Sequence, residues 1–299
     1  MGVGELLDAI FSLYRRNFLL IVSISAVVQV PYAIVQFLLF EIAGYSSIAG
    51  LGFGRLTSPG SQPTITPQQL QGLQGVLSGV LIASATLLVL AVFLIMPLGE
   101  AATTRAVSDR YLDRDASLGS SYGAAIRRLI PLIVQGLILF AGAVVLFGAA
   151  ILLLVLLAAV AGAAGAVLGF AVFIAAVVAA LYFYARTLLA PPAIVLEGLS
   201  GWRGIRRSWL LSQGHGWRLV GIRILIALIT GIITFFLTTI LTVAGLGLDP
   251  NGQFILTQVA AGLSAVMLNP IAYIAVTLLY YDTRIRKEAF DIEMLAQSL

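Results

Sequence analysis

Long uncharged stretches alternate with short charged ones along the chain. No charged residue lies between Arg16 and Glu41, which is long enough for a transmembrane helix of about 20 apolar residues. The interval from Arg128 to Arg186 is also free of charge. At about 1.5 Å per residue it is too long for one helix to cross a bilayer once. It therefore predicts two helices, with a turn at the glycine-punctuated segment 161–165.

The whole pattern predicts an all-α fold, a polytopic membrane helical bundle. Six transmembrane helices would form three hairpins, with interfacial helices on the cytoplasmic side. The chain would form one integral membrane domain, 1–299. The predicted spans are 18–41, 76–98, 129–159, 166–189, 224–243 and 254–281. Gly, Ser, Pro, Thr and Gln dominate 43–74, which predicts an exposed, irregular outer loop.

Composition supports the same class and narrows the chemistry. Of 299 residues, 60% are hydrophobic and only 10% are charged, against about 25% charged in soluble domains. This excludes a soluble globular protein. The absence of cysteine excludes disulfides and thiolate sites, and His215, as the one histidine, excludes a metal site built on several histidines. We expect no catalytic residues, no metal and no cofactor.

The distribution of basic residues predicts orientation. With six spans both termini lie on one side, where 16 of the 17 lysines and arginines also fall, leaving Arg55 on the other. The positive-inside rule then places both termini in the cytoplasm. This orientation explains the net charge of +4. We therefore expect membrane lipids as partners and exclude nucleic acid. A protein partner is not identified.

Three short amphipathic segments each carry an Arg-Arg pair ahead of a predicted hairpin: the N-terminal segment before the first span, 121–128 and 201–209. Such segments are typical of helices lying in the membrane interface. The pattern has two explanations. Either three degenerate copies of one unit form the chain, or the positive-inside rule alone places arginines at these points.

Tryptophan and arginine concentrate in the cytoplasmic segment 186–218, which holds all three tryptophans. Indole rings sit at the headgroup level of a bilayer, and guanidinium groups pair with phosphate. The segment therefore predicts a phospholipid-headgroup site, although generic anchoring explains the same residues. The candidate contacts are Arg203, Arg206, Arg207, Trp202, Trp209 and Trp217.

Uncharged amides provide the polar groups inside the predicted spans, since the carboxylates lie at span ends and Arg223 is placed to snorkel to the interface. The candidate intramembrane polar cluster is Gln29, Gln135, Gln258 and Asn269. A transporter predicts that these four converge on a polar cavity. A scaffold predicts a closed, apolar core.

Three motifs carry a resemblance to a known family. They are 3–9 with 13–18 at the start, Ile-Val-Leu-Glu-Gly at 194–198 with Arg-Ser-Trp at 207–209, and the end 278–293. Over essentially the whole chain, the sequence resembles the glycerophosphoryl diester phosphodiesterase membrane-domain family and related bacterial multi-span proteins. The resemblance implies a membrane fold and location. The soluble phosphodiesterase barrel and its His-Arg-Gly motif are absent, because the chain ends at Leu299 and His215 is followed by Gly216, so no enzymatic activity is implied.

We therefore expect a non-catalytic membrane protein, a scaffold or partner subunit that binds phospholipid headgroups at a cytoplasmic collar of arginine and tryptophan. The alternative is a transporter or lipid-handling protein. An intramembrane enzyme is disfavoured because the sequence offers no nucleophile or metal set.

Overall fold

The computed structural model describes residues 2–43 and 67–288, and within these ranges every regular element is a helix. This confirms the all-α class. The helices are α1 (Val3–Arg16), α2 (Phe18–Ile42), α3 (Pro67–Leu90), α4 (Met96–Tyr111), α5 (Leu118–Thr187), α6 (Ala190–Glu197), α7 (Gly201–Leu211), α8 (Gly216–Ala244) and α9 (Pro250–Glu288). One turn of π-helix, Ala91–Ile95, joins α3 directly to α4.

Five helical stretches among the described residues are long and apolar enough to cross a membrane. They are Phe18–Ile42, Gln74–Tyr111, Leu118–Glu197, Gly216–Ala244 and Gly252–Glu288. Only 6% of the most apolar part of α8 is buried inside the protein. A helix that is apolar on all sides and so little covered needs an apolar solvent, which indicates a membrane protein.

A break at Gly162 divides α5, the longest helix. This glycine adopts φ 57° and ψ −133°, a conformation that side chains disfavour, and it lies inside the segment 161–165. Beyond it, a Cβ atom on Gly165 would lie only 1.8 Å from the carbonyl oxygen of Leu157. Further from the break, the ring centroids of Phe147 and Phe173 lie 6.0 Å apart. The residues on either side of Gly162 therefore pack side by side, with the chain reversing direction.

The buried core lies at one end of the bundle, where α1, α6 and α7 pack around the C-terminal half of α9. We call this the arginine-rich end, since it carries most of the arginines of the described chain. In α9, Ile274 and Leu278 are fully buried, and so are Leu6 and Ile10, which are one turn apart on α1. The hydroxyl of Tyr14 donates a hydrogen bond of 2.7 Å to a carbonyl oxygen of α9. This core fixes α1 beside α9.

The structure corrects one end of the predicted outer loop 43–74. Helix α3 begins at Pro67, so 67–74 is helical, and residues 44–66 lie outside the described residues. Proline suits the first turn of a helix because its missing N–H would have no intrahelical partner there. Several glutamines follow Pro67 in place of apolar residues, so the hydrophobic pattern does not reveal this first part of α3.

Candidate functional site

Helix α7 packs closely onto the arginine-rich end. A Cβ atom on Gly204 would lie 2.3 Å from the side chain of Ile194 in α6, so only glycine permits this approach. The hydroxyl of Ser208 accepts a hydrogen bond from the backbone N–H of Leu189 at 3.1 Å and donates one to the carbonyl oxygen of Arg186 at 2.7 Å. These contacts fix which side of α7 is buried and which side faces outward.

The outward side of α7 carries two of the predicted arginines and one tryptophan. Trp202 is 63% exposed, and Arg203 and Arg206 are exposed on the same face. Within 2–43 and 67–288, neither of these two arginines forms an ion pair. An indole beside two exposed guanidinium groups has the chemistry to pair with phospholipid headgroups.

Arg207 points the other way and is committed to carboxylates of the protein. Its Nε donates to Glu197 at 2.9 Å, and its Nη2 donates to Glu288 at 2.7 Å. The hydroxyl of Tyr280 also donates a hydrogen bond to Glu197. Burial lowers the pKa of Arg207, but the hydrogen bonds to the two carboxylates outweigh it and raise the pKa above its usual value. Arg207 therefore ties α6, α7 and α9 together, and we leave it out of the headgroup contacts.

Trp209 and Trp217 lie near a basic pocket of about 380 Å³ beside α7. The pocket is lined by Arg186, His215, Trp217 and Arg218. The guanidinium of Arg186 stacks over the ring of Trp209 at 4.5 Å, and its Nε is buried with no hydrogen-bond partner among the described residues. Trp217 is exposed at the edge. Arg218 is paired with Asp282 at 3.0 Å, so the cation that this pocket offers a phosphate group beside the indole is Arg186.

The four predicted amides do not form one cluster. Gln29 and Gln258 line a groove of about 510 Å³ between α2 and α9, whose other walls are apolar. Gln135 and Asn269 line a different cavity of about 270 Å³ between α4, α5, α8 and α9. Both Gln29 and Gln135 are buried. The structure therefore brings the amides together in two separate pairs.

The cavity with Gln135 and Asn269, which we call the polar cavity, also contains two charged residues. Glu100 of α4 and Arg223 of α8 both line it. The Nε of Arg223 donates to the hydroxyl of Tyr184 at 3.2 Å. The sequence predicts Glu100 at a span end and Arg223 snorkelling to the interface, and it does not predict a contact between them. The sequence does contain a signal, since each residue lies within a few positions of the cytoplasmic end of its predicted span.

A search of the described residues for metal-binding groups finds no set of three or more His, Cys, Asp and Glu side chains close together. Comparison with family models, with curated proteins and with solved structures finds no match to this chain. The resemblance to the phosphodiesterase membrane-domain family thus remains a prediction that rests on the three motifs.

Proposed function

We propose that the chain is a six-span protein of the bacterial cytoplasmic membrane, with three hairpins and both termini in the cytoplasm. Five long apolar stretches support multiple crossings. The reversal at Gly162 supports counting α5 as two of them. Sixteen of the 17 basic residues would then face the cytoplasm, as the positive-inside rule expects.

The proposed role is that of a non-catalytic scaffold or partner subunit whose arginine-rich end binds anionic phospholipid headgroups. The observation that carries this proposal is the outward face of α7, with Trp202, Arg203 and Arg206 exposed together. The basic pocket around Arg186 and Trp217 supports it, because it lies at the same end of the bundle. A basic residue near an anionic membrane surface contributes about 1 kcal/mol of attraction.

The test is a charge-matched comparison of two double variants of the full chain. The double variant Arg203→Gln with Arg206→Gln removes about 2 kcal/mol of attraction to anionic headgroups. We therefore expect retention of phosphatidylglycerol to fall roughly 30-fold. The control is Arg114→Gln with Arg127→Gln, which removes two other exposed arginines. Native mass spectrometry of the purified protein counts bound lipid. An equal loss in both double variants would mean that net charge acts, without a site on α7.

Transport or lipid handling is a second candidate function, and the polar cavity favours it. A transported molecule must reach such a cavity from both sides of the membrane in turn. The chain has no cysteine, so Ala272→Cys introduces a single reactive thiol into the lining of this cavity. Labelling by a membrane-impermeant reagent from both sides would support transport. Labelling from one side only would support the scaffold.

A further inference from the structure

The polar cavity is lined by an acidic and a basic side chain that do not pair with each other. Glu100 and Arg223 are close enough to interact electrostatically, yet in the ranges 2–43 and 67–288 no ion pair joins them and no hydrogen bond reaches the carboxylate of Glu100. The guanidinium of Arg223 instead contacts the hydroxyl of Tyr184. Charges at the edge of an apolar bundle are costly unless they gain partners. The cavity that both groups line can therefore accept a molecule that supplies both partners.

The lining of the cavity defines the chemistry of such a molecule. A carboxylate accepts hydrogen bonds from an ammonium group, and a guanidinium donates to a phosphate or carboxylate. The amides of Gln135 and Asn269 add neutral donors and acceptors. The volume of about 270 Å³ is near the lower limit of about 300 Å³ for ligand sites. It suits a small zwitterion or a lipid headgroup, with no room for a whole lipid.

The cavity opens on the side of the bundle. Met96 and Tyr184 are among its lining residues, and they are 51% and 44% exposed on the outer surface of long apolar helices. In a membrane this surface faces lipid. A headgroup can therefore enter sideways while its acyl chains stay outside the protein.

We propose that the polar cavity binds a zwitterion that combines a primary ammonium group with a phosphate or carboxylate. Glu100 would hold the ammonium group, and Arg223 would hold the anionic group. Phosphatidylethanolamine in the bilayer and free phosphoethanolamine share this chemistry. The proposal does not rest on the α7 face, whose proposed ligands are recognised by their negative charge alone.

The experiment uses the full chain purified in mild detergent and exposed to equal amounts of phosphatidylethanolamine and phosphatidylglycerol. Native mass spectrometry measures both bound lipids. We expect phosphatidylethanolamine to occupy the wild-type cavity, and Glu100→Gln or Arg223→Gln to weaken its binding about tenfold or more, since each removes a charged hydrogen-bonding partner. Asp115→Asn and Arg114→Gln remove exposed charges outside the cavity, and they are expected to leave this binding unchanged.

A filling variant covers the case in which the charge variants do not fold. Ala272→Leu keeps both charges but occupies part of the cavity, and we expect it to abolish phosphatidylethanolamine binding while the thermal transition is retained. Thermal protection of lipid-free protein by phosphoethanolamine would support a soluble zwitterion as the source. Protection by the lipid alone would support the headgroup. The proposal is overturned if neither compound binds, if the cavity variants weaken phosphatidylglycerol binding as much as phosphatidylethanolamine binding, or if the folded cavity variants bind like wild type.

Discussion

The ion pair between Glu197 and Arg207 offers a quantitative test of how the arginine-rich end is held together. The two side chains are only 21% and 24% exposed, and they join α6 to α7 at 2.9 Å. Glu197→Gln removes the charge but keeps the shape. Hydrogen bonds to charged groups contribute about 1.5–3 kcal/mol each. In the Glu197→Gln variant, Glu288 still neutralises Arg207. We therefore expect the free energy of unfolding to fall by an amount near the lower end of this range, about 2 kcal/mol.

A double-mutant cycle with Arg207→Met isolates the coupling between the two side chains. Unfolding in mixed micelles of increasing denaturing detergent supplies the free energy of unfolding of wild type, both single variants and the double variant. We expect a coupling of about 1.5–2 kcal/mol. The control cycle uses Arg110 and Asp115, a pair 3.8 Å apart in which Asp115 is fully exposed, and which should couple by less than about 1 kcal/mol. Equal coupling in the two cycles would refute the role we assign to Arg207 and return it to the exposed headgroup contacts.

Further predictions concern packing and topology. Gly165→Ala introduces a Cβ atom that collides with backbone across the turn, so its thermal transition should fall by several degrees, whereas Gly142→Ala has open space and should be neutral. Leu278→Ala in the core of α9 should cost about 2–5 kcal/mol of unfolding free energy, well above the cost of Leu228→Ala on the outer face of α8. Ala163→Cys should be labelled by an impermeant reagent in intact cells, and protection of this thiol from outside would contradict six spans.

The apolar pattern locates helices well but locates their ends poorly. The predicted span 76–98 stops where apolar residues give way to charged and small ones, but α4 continues to Tyr111. Ala101, Ala102 and Thr104 are buried there against other helices. Small residues that pack against other helices add little to the hydropathy of a segment. A prediction based on hydropathy therefore ends the helix too early.

The candidate sites depend on contacts between residues far apart in the chain. Arg206 and Arg207 are adjacent and chemically identical, yet one faces outward while the other pairs with Glu288, 81 residues further on. Glu100 and Arg223 likewise line one cavity only because α4 and α8 both border it. Sequence spacing identifies the arginine and tryptophan segment. Which of its members is available to a ligand is decided by tertiary packing.

The central position of α9 has a consequence for biogenesis. About half of the most apolar part of α9 is buried, against 6% for α8. Helix α9 also contacts α1, where the hydroxyl of Tyr14 donates a hydrogen bond to the carbonyl oxygen of Met267. Yet α9 is the last of the described helices to leave the ribosome. Helices inserted earlier must wait in the bilayer with their inner faces covered by lipid, and α1 stays undocked until α9 arrives. A ribosome that stalls before α9 would therefore leave an incomplete bundle whose exposed inner faces membrane proteases could recognise.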